Sequence, residues 1–211
     1  MNLENEKELY AVLGTLTKQK SDWQKAIPQV ASLIEHPSKK IQAKALWLIG
    51  EMGLSYPHFI APYVELIAQK LKDSDEKIRE RAVGALGRIG RAKIDVIAKY
   101  ITAMLAMADD RSPQVRMNVI WAAENVTTEN PSVFENSMDI FNQLLHDSAT
   151  RVRREAPEIF RVIGKRKPEM VKPYIDTLKY LSENDVDRVV RIHSLGAIKA
   201  ILNNSILEYK R

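Results

Sequence analysis

There is no cysteine in this 211-residue chain. That excludes a disulfide framework, thiolate catalysis and every Cys-ligated zinc site, and it suits a reducing compartment, so the expected setting is the cytoplasm. Glycine is scarce at 8 residues, and aromatics make up only 7%. A strand-rich fold with many tight turns draws on both, so the composition leans helical. No apolar run approaches the roughly 20 residues that a spanning helix needs. The opening MNLENEKELY carries acids where an export signal has an apolar region, so neither a membrane span nor export is expected. What is present is a globular balance: 45% hydrophobic and 28% charged residues with a net charge of +5. That balance excludes a disordered tail.

The chain repeats. Ile41-Gln42, Ile78-Arg79, Val115-Arg116, Val152-Arg153 and Val190-Arg191 share a frame, at intervals of 37, 37, 37 and 38 residues. Four residues on from each come Ala45, Ala82, Val119, Ala156 and Ser194. Then follow Ile49, Leu86, Ala123, Phe160 and Ile198, and after them Met52, Ile89, Val126, Ile163 and Ile201. These offsets trace one stripe of a helix with about 3.6 residues per turn. Gly53, Gly90 and Gly164 follow in register, where a left-handed C-terminal cap is expected. The other half of each unit repeats as well: Tyr63, Tyr100, Ser137 and Tyr174 share a position, as do Pro57, Ile94, Pro131 and Pro168. Proline fits the first turn of a helix.

Each unit therefore reads as helix, turn, helix, link. First helices are expected at about 23–35, 57–72, 94–108, 131–146 and 168–182, and second helices at about 38–53, 75–90, 112–127, 149–164 and 186–203. Residues 3–18 form one more amphipathic helix, a cap with Leu9, Val12 and Leu16 as its core positions. Pro157 should make its helix bend or start late. No linker divides the chain, so a single domain over 1–211 is expected, with a cap over 1–20 and units at about 21–54, 55–91, 92–128, 129–165 and 166–205.

Paired helices in units of about 37 residues, with Asp before the second helix and Val/Ile-Arg inside it, resemble HEAT repeats, in particular the short HEAT-like type of phycobilisome-lyase proteins. The resemblance implies an all-α, right-handed α-α superhelix: a solenoid of about five HEAT-like helix pairs plus the N-terminal cap, with second helices lining the concave face. It also implies a ladder in which each Arg reaches an Asp of its own or the next unit.

The ladder candidates are Asp73 and Arg79, Asp110 and Arg116, Asp147 and Arg153, and Asp185 and Arg191. Each Asp is placed to cap its helix and to meet the positive end of the helix dipole. A feature repeated in every unit is structural rather than catalytic. His36 and Gln42 break the pattern, so the ladder is expected to start one unit late. None of His36, His58, His146 and His193 stands three or four residues from another, so no helix offers a two-His metal face. Gly84, Gly87 and Gly90 fall within or at the end of a helix, where small residues let neighbouring helices approach.

Trp47 and Trp121 occupy one repeat position off the core stripe, as a partner's anchor or packed between second helices. Residues 77–93 hold six Lys/Arg against Glu80, and residues 149–172 hold eight against Glu155, Glu158 and Glu169. The partner-binding candidates are accordingly Trp47, Arg81, Arg88, Trp121, Arg154, Arg161 and Lys165. Trp121 would be a neutral centre, with Asn118 and Asn125, between two basic clusters. The expected function is that of a non-enzymatic scaffold or adaptor: a protein partner with an acidic segment, no cofactor, no metal and no membrane. Three rivals stand beside it: simple nucleic-acid binding, and two enzymes. Alkyl-base DNA glycosylases of HEAT-like build carry a Trp-rich segment beside a catalytic Asp, which is not matched here. A bilin lyase is suggested by the repeat subtype alone.

Overall fold

The computed structural model describes residues 3–208, and the side chains of residues 6–202. Eleven helical rods and no strand occur among the described residues. In chain order they are α1 (Leu3–Lys18), α2 (20–35), α3 (Lys39–Ser55), α4 (57–72), α5 (Glu76–Ala92), α6 (94–109), α7 (Pro113–Glu129), α8 (131–145), α9 (Thr150–Gly164), α10 (168–184) and α11 (Arg188–Glu208). The chain forms two compact units, Met1–Met107 and Ala108–Arg211.

The second helix of each pair follows the expected stripe. Ile41, Ala45, Ile49 and Met52 of α3 are wholly buried, as are Ile78, Ala82, Leu86 and Ile89 of α5. In the second unit the same four positions of α7, α9 and α11 are buried, including Ser194, whose hydroxyl finds no partner. The starts Lys39, Glu76, Pro113 and Thr150 keep the repeat interval. Thus α9 does not start late, and it continues as helix through the buried Pro157. A mid-helix proline costs about 3 kcal/mol, which the buried apolar face of α9 must offset.

The first helices depart from the sequence reading, because they are broken rods. Tyr63, Tyr100, Ser137 and Tyr174 each end a 3-10 stretch, with φ of −105°, −107°, −126° and −102°, just before an α segment begins. Pro62 and Pro173 immediately precede two of these junctions and remove the donor that a continuous helix would need. The shared tyrosine position is therefore the register mark of a kink.

Two further expectations are corrected. No described glycine has positive φ, so Gly53, Gly90 and Gly164 are not left-handed caps. Gly53 lies inside α3, where a Cβ would come within 2.5 Å of Ile89 Cγ1 on α5, and Gly164 would likewise meet Ile201 Cγ1 on α11 at 2.5 Å. These glycines allow successive second helices to approach. In α1 the buried residue is Leu13, whereas Val12 is 48% exposed. The seat is thus Leu9, Leu13 and Leu16: Leu9 and Leu16 are as expected, and Leu13 takes the middle position from Val12. Trp23, also buried, ties this cap down by donating from Nε1 to the Leu16 carbonyl at 2.7 Å.

Candidate partner-binding site

The ladder arginines make two kinds of bond, to a backbone carbonyl and to a carboxylate. Arg116 Nη1 donates to the Asp110 carbonyl at 2.7 Å, while Nε and Nη2 reach the two Asp147 carboxylate oxygens at 2.6 and 2.7 Å. Arg153 repeats this with the Asp147 carbonyl and the Asp185 carboxylate, both at 2.9 Å. Arg79 and Arg191 clamp the Asp73 and Asp185 carbonyls in the same way. Each arginine therefore fixes its own turn, and Arg116 and Arg153 also grip the next. Burial pushes the Asp147 carboxyl up, but its bonds to Arg116 and the Ala149 N–H outweigh this and hold it below the usual carboxylate range.

These aspartates do not cap the helices. Asp73, Asp110, Asp147 and Asp185 each accept from the backbone N–H two residues on, closing a turn ahead of the helix. The cap of α5 is Asp75, which accepts from the N–H groups of Lys77 and Ile78. Nor does the ladder start late. In the first pair His36 Nδ1 accepts from the Ser38 N–H at 3.1 Å, standing in for the aspartate, and Lys39 donates to both Asp73 oxygens at 2.9 Å. The sequence frame hid this because a lysine three residues earlier replaces the expected arginine at Gln42.

The partner-binding candidates fall into separate settings. Trp47 and Arg81 come together in the first unit, at a pocket of about 470 Å³ between α1, α3 and α5. Tyr10, Trp47, Lys39, Lys40, Lys44, Asp75, Lys77 and Arg81 line it. Lys40 Nζ lies 4.5 Å from the Tyr10 ring centroid, and Lys44 Nζ lies 4.4 Å from that of Trp47. Both geometries suit cation–π attraction. Burial, and then the Arg81 guanidinium, push the Lys44 ammonium pKa down. Of the five cations, Lys39 is committed to Asp73 and Lys77 to Glu80. Tyr10, Lys40 and Lys44 were missed in the sequence reading, although Lys40, Lys44 and Trp47 are spaced as one helix face.

The other arginines are already paired. Arg88 meets Glu51 at 2.7 Å, Arg154 meets Asp187 at 2.7 Å, and Arg161 Nε donates to Glu158 at 2.6 Å. Lys165 is exposed at the turn after α9. Around Trp121, 40% exposed, the second unit is acidic rather than neutral. Trp121 Nε1 donates to Glu155 at 3.2 Å, and Asn118 and Asn125 are turned onto the backbone of α7. Glu124 lies beside them: burial, then Glu158 and Glu155, push its carboxyl up to about 7. His193 Nδ1 donates to the Arg154 carbonyl at 2.6 Å and stands 3.7 Å from Glu158. Among the described residues no group of three or more His, Asp or Glu side chains is placed to hold a metal, and no helix is long and apolar enough to cross a membrane.

Broken first helices, buried second-helix stripes and a ladder between pairs define an α-α repeat solenoid of the HEAT and armadillo class. Residues 24–206 match the family described as sister chromatid cohesion protein PDS5 protein, and the chain belongs to that family. Among solved structures it is similar to the designed armadillo repeat protein YIII(Dq.V1)4CPAF in complex with the peptide (KR)4, at 20% identity over 95% of each chain with a TM-score of 0.69. It is also similar to computationally designed armadillo repeat proteins for modular peptide recognition, at 19% identity over 94% of this chain and 95% of that one, with a TM-score of 0.66. No curated protein matches the sequence.

Proposed function

We propose that the chain is a non-enzymatic scaffold that binds a partner polypeptide on the second-helix side of its repeats, with an acidic segment of the partner docking at the Trp47 pocket. The observation that carries this reading is the pocket itself: five cations and a single carboxylate around two aromatic rings. Lysine stems and rings supply apolar contact, and the charges steer an anionic partner. A family described by sister chromatid cohesion, and designed neighbours that recognise peptides, both support a polypeptide as the ligand. Glu124, Glu155 and Glu158 beside Trp121 disfavour a phosphate track across the second unit, so the nucleic-acid reading ranks lower. The cytoplasmic setting belongs to the same proposal and rests on the cysteine-free sequence.

The test is a titration of a fluorescent Glu-rich decapeptide at low and moderate salt, with the parent chain, Arg81→Glu and Arg161→Glu. Binding that weakens with salt and is lost in Arg81→Glu alone supports the reading. Equal loss in both variants, or no binding by the parent, sinks the pocket as the docking site. A parallel pull-down from native extract, with and without nuclease, separates protein from nucleic acid.

A further inference from the structure

We propose that the Trp47 pocket takes a phosphorylated serine or threonine side chain of the partner, with Lys40, Lys44 and Arg81 as the phosphate's donors. This rests on the reading above, that a polypeptide docks at this pocket, and names the group it presents there. Among the described residues no carboxylate pairs with these three cations. Lys40 and Lys44 sit instead against the rings of Tyr10 and Trp47. A ring quadrupole holds an ammonium in place without cancelling its charge. The lone carboxylate of the lining, Asp75, is spent on the Lys77 and Ile78 N–H groups.

The pocket is thus left with a local excess of positive charge that one Asp or Glu of a partner would only partly neutralise. A phosphoserine brings a charge of about −1.5 to −2 and three strong acceptor oxygens. Three donors from two helices, a guanidinium and two ammoniums, match that demand. The half-buried Lys44 points the same way: burial first, and then the nearby Arg81, disfavour its charged form, and a dianion between the two cations would offset both. The rings of Tyr10 and Trp47, at the same pocket, offer apolar surface to the backbone on either side of the phosphorylated residue.

The experiment uses the full chain, labelled with nitrogen-15, and three small probes: N-acetyl-O-phosphoserine methylamide, N-acetylglutamate methylamide and inorganic phosphate. Expected are saturable shifts of the Trp47 indole N–H and the Arg81 Nε–H signals with the phosphoserine probe. The glutamate probe and free phosphate should each bind at least about tenfold more weakly. Arg81→Gln and Lys44→Gln should each lose about tenfold for phosphoserine, whereas Arg161→Gln, already neutralised by Glu158, should lose nothing; thermal melts check that all three are folded. Equal affinity for the glutamate probe would overturn the phosphate assignment while leaving the acidic-partner reading standing. Equal affinity for free phosphate would overturn the side-chain assignment. No saturable shift with any probe would overturn both readings, as would displacement of the phosphoserine probe by short duplex DNA.

Discussion

Trp47 and Trp121 stand at the same position of the repeat, yet their surroundings carry opposite charge. Trp47 has Lys44 on its ring and Arg81 at its pocket, whereas Trp121 donates to Glu155 beside Glu124. The row that holds Lys44 and Arg81 in the first unit holds Asn118, Glu155 and His193 in the second. Both units share the buried stripe and the turns closed by the repeated aspartate, or by His36 in the first pair. A repeat array fixes these because every pair must stack, and leaves the exposed row open to change. The difference also shows that charge counted along a sequence is not charge on offer. Of the eight cations in the run 149–172, Arg153, Arg154 and Arg161 are taken by Asp185, Asp187 and Glu158, whereas Lys40 and Lys44 at the Trp47 pocket lie against aromatic rings.

The largest expected effect concerns the shared framework. Asp147 pairs with Arg116 at 6% side-chain exposure, while the equivalent Asp73 meets Lys39, which is 47% exposed. Removing one partner of a buried, hydrogen-bonded pair leaves the other uncompensated. Asp147→Ala should therefore destabilise the fold by about 3 kcal/mol, and Asp73→Ala by about 1 kcal/mol, as read from urea midpoints. Equal losses would show that the two rungs do the same work and would erase this part of the contrast.

Next comes Glu124. Its carboxyl is pushed up to about 7 in the folded chain from an ordinary 4.5. The folded state thus holds the proton more tightly than the unfolded chain, and stability falls as pH rises from the ordinary value through about 7. Glu124→Gln removes that loss. It should stabilise the protein by roughly 1–3 kcal/mol near pH 8 and by little near pH 5. Asp147 and Asp185 act in the opposite sense: their pKa values are lowered, so their contribution is present at neutral pH and lost as pH falls below the usual carboxylate range. A Gln variant with an unchanged profile between those limits would show that the second unit's face is solvated.

Much of this architecture is legible in the sequence, because the repeat samples each position several times. The stripe from Ile41 to Met52 recurs in five helices, and all of its members are buried. Single-copy features are harder. Val12 and Leu13 are adjacent apolar residues in α1, and only packing decides which is buried. Gly53 sits next to a helix end in the repeat frame, and only the approach of Ile89 shows that it serves packing instead. The ladder residues are readable, but their division between a carbonyl in the same turn and a carboxylate in the next is set in three dimensions. The pocket escaped the reading because its residues come from three helices, and Tyr10 lies in the cap outside the repeat register. The paired arginines misled for the converse reason: Glu51 lies 37 residues from Arg88, and Asp187 lies 33 from Arg154, beyond any local charge count.

The smallest effect separates the two tryptophans by binding alone. Trp47 and Lys44 hold one another, so Trp47→Ala removes an apolar wall and frees Lys44 to leave the pocket. Affinity for the phosphoserine probe should fall by about tenfold. Trp121 faces carboxylates that repel the same probe, so Trp121→Ala should leave its affinity unchanged within about twofold. Trp47→Phe keeps a ring of weaker quadrupole beneath the ammonium and should recover most of the loss. If Trp121→Ala weakens the probe as much as Trp47→Ala does, the two faces act on one ligand and the charge contrast between them does not decide where it docks. If Trp47→Phe is as weak as Trp47→Ala, then the indole itself, and not the placing of Lys44 against a ring, is what the site requires.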